Sequence, residues 1–227
     1  MSMWPDDQPR AASETLASAI YAQVRQDILS GSLRPGEKIN IRQLCERFDV
    51  GFSPVREALN RLSTHQLVRQ TDRRGFKVAP ATGAELADLT RARCLVNEAA
   101  LRASIEKGDA AWEEHVLLSF HRLLRTPRDD LSPGVSQWTQ AHRRFHRALL
   151  RACGSDNLLD YCDQLFDAAE RYRLLGASAA GQRIDADEEH RAIMQATVDR
   201  RADEAAALLV RHFEKTLDHL RGVLVAG

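Results

Sequence analysis

The sequence predicts a mainly α protein in two parts: three helices with a β-hairpin, then an all-α antiparallel helical bundle. Apolar residues recur at helical spacing along most of the chain. Strand-like runs occur only at 67–71 and 76–79, and the segment Pro80 to Gly83 separates the two regimes.

In the first part, Leu16, Ile20, Val24 and Ile28 recur every four residues, which sets them on one stripe of a helix from Ser13 to Leu29. Gly31 stops it, and Arg34-Pro35-Gly36 forms a turn. A second short helix spans Ile41 to Phe48, with Leu44 and Phe48 inward. Gly51 then breaks the chain, Ser53 is the expected cap of a third helix, and Pro54 suits its first turn, where a missing N–H is no loss. That helix keeps Val55, Ala58, Leu59 and Leu62 on one face and Arg56, Asn60 and Arg61 elsewhere. Leu67–Thr71 and Phe76–Ala79, joined by Asp72-Arg73-Arg74-Gly75, read as a hairpin. This order is a winged helix-turn-helix over residues 13–80, preceded by a flexible tail at 1–12.

The second part, 81–227, opens with Thr82 and Glu85 spaced as a capping box before a long helix to Lys107. Five more helices follow, at about Asp109–Arg125, Val135–Cys153, Ser155–Leu175, Ala186–Arg200 and Ala202–Arg221. Their breaks are Thr126–Gly134, Gly154 and Gly176–Ile184.

Composition narrows the function classes. No apolar run reaches the roughly 18 residues of a membrane span, and the first ten residues do not form a secretory signal. Cys45, Cys94, Cys153 and Cys162 lack CxxC spacing, so reduced thiols in a cytoplasmic protein are expected. Net charge is zero overall, but residues 13–80 hold eleven Lys/Arg against seven Asp/Glu, while 81–227 hold twenty against twenty-three. A basic module on a mildly acidic remainder fits a nucleic-acid-binding unit joined to something else.

The runs Ile39-Asn40-Ile41-Arg42-Gln43-Leu44, Gly51-Phe52-Ser53-Pro54-Val55-Arg56-Glu57-Ala58-Leu59 and Arg74-Gly75-Phe76-Lys77-Val78 resemble the GntR family of transcription regulators. The resemblance implies binding to double-stranded DNA, with Arg42, Ser53 and Arg56 as contacts and the wing residues Arg73, Arg74, Gly75 and Lys77 along the backbone or minor groove. Arginine suits both guanine edges and phosphates, and a recognition helix offers its N-terminal residues to the groove. Many relatives carry Arg where this chain has Phe52.

Four histidines in the second part fall into a pattern. His142 and His146 are four apart and share a helix face; His190 and His212 lie on the last two helices. This resembles the FCD ligand-binding domain of the FadR-type branch, in which a divalent metal is held by an Asp and three His. His146, His190 and His212 match the histidine positions, and His142 stands at the Asp position. The resemblance leaves three arrangements open: a four-His site suited to zinc or nickel, three ligands with His142 turned outward, or a site without metal. Arg93 matches a pocket arginine, a natural clamp for a small carboxylate effector, with Asn97 beside it. Tyr172 and Arg171 fit either the cavity or a dimer face.

The implied protein is a homodimeric regulator on a palindromic operator, probed against two alternatives. In one, the metal ion itself is the signal. In the other, the histidines hold a catalytic metal, a reading opposed by the absence of an HExxH or two-His-one-carboxylate motif.

Overall fold

The computed structural model describes residues 15–71, 75–127, 136–180 and 186–225, with backbone alone for 174–180 and 222–225. The expected tail and the wing-turn residues Arg73 and Arg74 lie outside the described residues.

Helix α1 (Leu16–Leu29) is capped by Thr15 and buries Ile20, Val24 and Ile28, three of the four residues of the expected stripe. Leu16, in the first turn, stays exposed. A two-residue strand β1 (Lys38–Ile39) precedes α2 (Ile41–Phe48), whose cap is Asn40. Helix α3 (Phe52–Thr64) starts two residues earlier than expected: Gly51 is its cap position, so Ser53 lies in the first turn and no side chain caps the helix. Val55, Ala58, Leu59 and Leu62 form its buried face. Strands β2 (Val68–Thr71) and β3 (Gly75–Val78) pair antiparallel, and β1 adds to the free edge of β3. Two residues are too short to show a period, which is why β1 escapes a sequence pattern.

Six helices form the second part. They are α4 (Gly83–Lys107), α5 (Ala110–Arg125), α6 (Gln137–Leu150) with a 3-10 turn at Arg151–Cys153, α7 (Asp156–Ala180), α8 (Asp187–Val198) and α9 (Ala202–Val225). Thr82 caps α4 by accepting from the Glu85 amide. The break expected at Gly176 is absent, because α7 continues to Ala180. Gly176 is followed by Ala177, Ser178, Ala179 and Ala180; a single helical glycine costs about 1 kcal/mol, and alanine is the best helix former.

The core of the first part gathers Ile20, Val24, Val55, Leu59, Phe76 and Val78. The main core of the bundle gathers Leu101, Trp112, Phe145, Leu149, Ile193 and Phe213, and the two share no residue. Trp112 donates from Nε1 to the Ala148 carbonyl at 2.9 Å, tying α5 to α6. Gly108 leaves room for that indole: a Cβ there would sit 2.1 Å from Trp112 Cε3. Among the described residues no helix is long and apolar enough to cross a membrane, and the four cysteines are unpaired.

Candidate functional site

Three helices deliver the four histidines to one point inside the bundle. Helix α6 supplies His142 and His146 from adjacent turns, α8 supplies His190 from its first turn, and α9 supplies His212. All four are buried, and their candidate ligand atoms lie within 4.8 Å of one another. His142 Nε2 sits 3.0 Å from His146 Nε2 and 3.2 Å from His190 Nε2. Two nitrogens bound at about 2.05 Å to one tetrahedral metal would be about 3.3 Å apart, close to these separations. His142 therefore points inward with the other three, and the outward arrangement left open by the sequence is not adopted.

The electrostatics suit a cation. Burial holds the imidazole pKa values of His142 and His146 well below 6.5, with neighbouring imidazoles adding to the effect. Burial also lowers that of His212, against the pull of Glu189. Neutral imidazoles keep a lone pair available for a metal. Glu189 accepts from His212 Nδ1 at 2.8 Å and from Lys215 at 2.7 Å, which leaves His212 Nε2 facing the cluster. These bonds, His212 first, hold the Glu189 carboxyl at about 2. A carboxylate on the far ring nitrogen is the usual device for fixing the tautomer of a metal-bound histidine. Buried donors of this kind fit a divalent metal.

A cavity adjoins the cluster, lined by Arg93, Trp138, Phe166, Glu170 and Arg173 together with His142, His190 and His212. Trp138 stacks on His142 with ring centroids 4.7 Å apart. Arg173 is neutralised by Glu170, its Nε donating at 2.8 Å, and also meets Thr139. Arg93 is different. It is 8% exposed, and among the described residues its guanidinium makes no hydrogen bond or ion pair, only a contact 4.0 Å above the Phe213 ring. Burial lowers its pKa to about 10, with Glu170 pulling the other way. Asn97 lies one turn along α4 and donates to the Arg93 carbonyl at 2.9 Å. It lines a second hollow on the other side of Arg93, with Arg143, His146 and Arg147, rather than the cavity at the imidazoles.

Helix α7 faces two ways. Phe166, Ala169, Glu170 and Arg173 line the cavity. Asp167 instead accepts from Arg25 of α1 and Arg143 of α6, while His65 at the end of α3 lies 3.9 Å away. One turn on, Arg171 donates to the carbonyl of Pro80, between the two cores. Arg143 and Arg147 directly follow the two α6 histidines and both pair with Asp163. Of the two positions the sequence left open, Arg171 thus grips the connection and Tyr172 is buried in a small cluster with Leu86, Leu89 and Leu220.

In the first part, Arg42, Ser53 and Arg56 are all exposed. Ser53, Arg56, Glu57, Asn60, Arg61 and Thr64 border an open groove along α3. Arg61 reaches back to Ser18 and lies over the Tyr21 ring, so it braces α1. Asn60 accepts from Gln70 at 2.9 Å and so fixes β2 against α3. Lys77 faces Lys38 on one side and Arg69 on the other across the sheet. Like charges placed opposite each other are unfavourable unless an anion joins them; Arg69 finds one in Glu85 of α4. Lys38 and Arg69 escaped the sequence reading, because only strand register reveals the row. Gly75, at the start of β3, is in contact range of Thr71: a Cβ there would meet its Oγ1 at 2.8 Å.

The model of bacterial regulatory proteins of the gntR family matches residues 16–78, and that of the FCD domain matches 88–215. The chain is 36% identical to the uncharacterized HTH-type transcriptional regulator BphR of Paraburkholderia xenovorans, over 94% of this chain and 88% of the relative. It is 30% identical to the HTH-type transcriptional repressor GlaR of Escherichia coli, over 85% of this chain and 90% of the relative. Among solved structures, E. coli McbR/YncC superposes with a TM-score of 0.73 at 17% identity, covering 92% of this chain and 98% of its own. At that identity the likeness speaks to the fold alone. The matched family models and relatives, spanning nearly the whole chain, make this protein a DNA-binding transcription regulator of the gntR family with a C-terminal FCD domain, and not an enzyme.

Proposed function

We propose that the protein is a homodimeric repressor acting in the cytoplasm, which leaves a roughly palindromic operator when a small carboxylate binds beside a divalent metal in the bundle. One observation carries the reading: four buried imidazoles converge next to Arg93, a buried guanidinium without an anionic partner among the described residues. His142, His146, His190 and His212 would hold the ion. Four neutral nitrogen donors favour zinc or nickel over magnesium or calcium, which seek oxygen. The bound metal would supply a Lewis-acidic position for one carboxylate oxygen. Arg93 offers paired donors to the same group, and Asn97 steadies the helix turn that carries it.

On the DNA side, Arg42, Ser53 and Arg56 would meet the major groove. Gly75 and Lys77, with the wing-turn residues Arg73 and Arg74, would follow the backbone. A twofold dimer matches two half-sites. The repressor sense is supported by the similarity to GlaR, itself named a repressor. Helix α7 is the proposed link, because it lines the cavity with one face and holds α1 and Pro80 with the other. An effector that shifts α7 would reset how the two DNA-binding units sit on the operator.

Elemental analysis of the purified protein tests the site. We expect about one zinc or nickel per chain, lost in His190→Ala and His212→Ala. Full metal content in both variants would overturn the assignment. Operator binding with metal removed and restored, in the absence of any carboxylate, tells whether the ion is itself the signal.

A further inference from the structure

Phe52 is the first residue of α3, and of the seven phenylalanines in the chain it alone is exposed, at 58%. The other six are buried or half-buried. What singles it out from the other exposed apolar side chains is its place, at the start of α3, where the ring is open to whatever that helix meets. Helix α3 is the second helix of the helix-turn-helix, and in this motif the N-terminal residues of that helix contact base edges. Its outward side is otherwise polar, with Ser53, Arg56 and Asn60 exposed. The same helix end has no side-chain cap, whereas α1, α2 and α4 are capped by Thr15, Asn40 and Thr82. Uncapped N–H groups at a helix start are suited to phosphate. Phe52 is four residues before Arg56, so the ring and the guanidinium share one side of the first turn.

From this placement we infer that Phe52 is a specificity-determining residue that packs on the C5-methyl group of a thymine in each operator half-site. The ring has no donor or acceptor for a base edge. The one feature of the major groove that rewards an apolar side chain is the thymine methyl, and phenylalanine is among the residues that contact it. Arg56, beside it, reads the neighbouring base or its phosphate through hydrogen bonds. The pair thus divides the half-site into an apolar and a polar position.

The test begins with selection of duplexes from a random-sequence pool by the full-length protein. Each thymine of the selected half-site is then replaced singly by deoxyuridine, which removes only the methyl group. For the wild type, one such replacement should weaken binding about fourfold, the factor associated with one buried methyl-sized group. In Phe52→Ala the same replacement should have no effect, and thymine should lose its enrichment at that position. Phe52→Arg should shift the preference there to guanine. Because Phe52 is 58% exposed, the variants are expected to keep the fold, checked by unchanged melting. Wild-type affinity unchanged by deoxyuridine at every position, or a deoxyuridine penalty that persists in Phe52→Ala, would overturn the inference.

Discussion

Asp167 of α7 accepts a hydrogen bond from Arg25 of α1 at 2.5 Å, so the first helix of the DNA-binding part is pinned to a helix that lines the bundle cavity. Asp167 is 5% exposed and also takes Arg143, the residue after His142. A buried carboxylate shared by two guanidiniums is sensitive to small shifts of either partner, since an unpaired buried charge is costly. The imidazole cluster and the operator-binding part are therefore separated by one helix and two ion pairs.

Replacing Asp167 by Asn keeps the shape and removes the charge. We expect Asp167→Asn to retain metal while the effector response of operator affinity collapses toward onefold, from the 5–150-fold range typical of such coupling. Metal analysis and operator titration with and without carboxylate, on the same preparation, check both halves. An intact response would show that the coupling runs elsewhere.

Acid should act on the histidine cluster in a defined direction. Burial depresses the folded-state pKa values of His142, His146 and His212 below the ordinary 6.5. Above 6.5 both folded and unfolded chains hold these rings neutral, and stability is independent of them. Below 6.5 the unfolded chain takes up protons that the folded chain refuses, so the metal-free protein should lose stability as pH falls from 6.5 toward 5. Metal affinity should decline over the same interval, because protons compete for the ligand nitrogens. Denaturant titrations at several pH values, with and without metal, would show it.

Lys77 should contribute to DNA affinity without contributing to sequence preference. Lys77→Ala is expected to lower the slope of log affinity against log salt by about 1 and to weaken all duplexes alike. Arg56→Ala should instead cost about 1–3 kcal/mol on the specific operator and relax preference at one position. Binding curves over a salt series on specific and scrambled duplexes separate the two behaviours.

Gly108 offers a test of packing apart from function. A Cβ would come within 2.1 Å of Trp112, which is itself 2% exposed and hydrogen-bonded to α6. Gly108→Ala should destabilise the bundle by about 1–3 kcal/mol through overpacking, seen as a lower denaturation midpoint.

Much of this architecture was legible where local periodicity governs. The apolar faces of α1 and α3, the Thr82 cap and the six bundle helices follow from spacing alone. Gly51, not Ser53, occupies the cap position of α3, since both residue types favour caps and only backbone angles choose between them. Gly176 misled because its alanine-rich surroundings outweigh its own helix penalty. The four histidines could be proposed from resemblance, but their convergence needs three helices to pack. The Arg25–Asp167 contact spans 142 positions and leaves no local trace. The Lys38–Lys77–Arg69 row likewise depends on register, which a strand of two residues does not encode.

On this reading a carboxylate at the Arg93 side of the histidine cluster controls operator binding. The most direct measurement is operator affinity of the metal-loaded full-length protein, at fixed salt, across a panel of small carboxylates. At least one is expected to weaken binding by about 5–150-fold in the wild type and to have no effect in Arg93→Ala. Unchanged affinity with every carboxylate, or an equal response in Arg93→Ala, would contradict it.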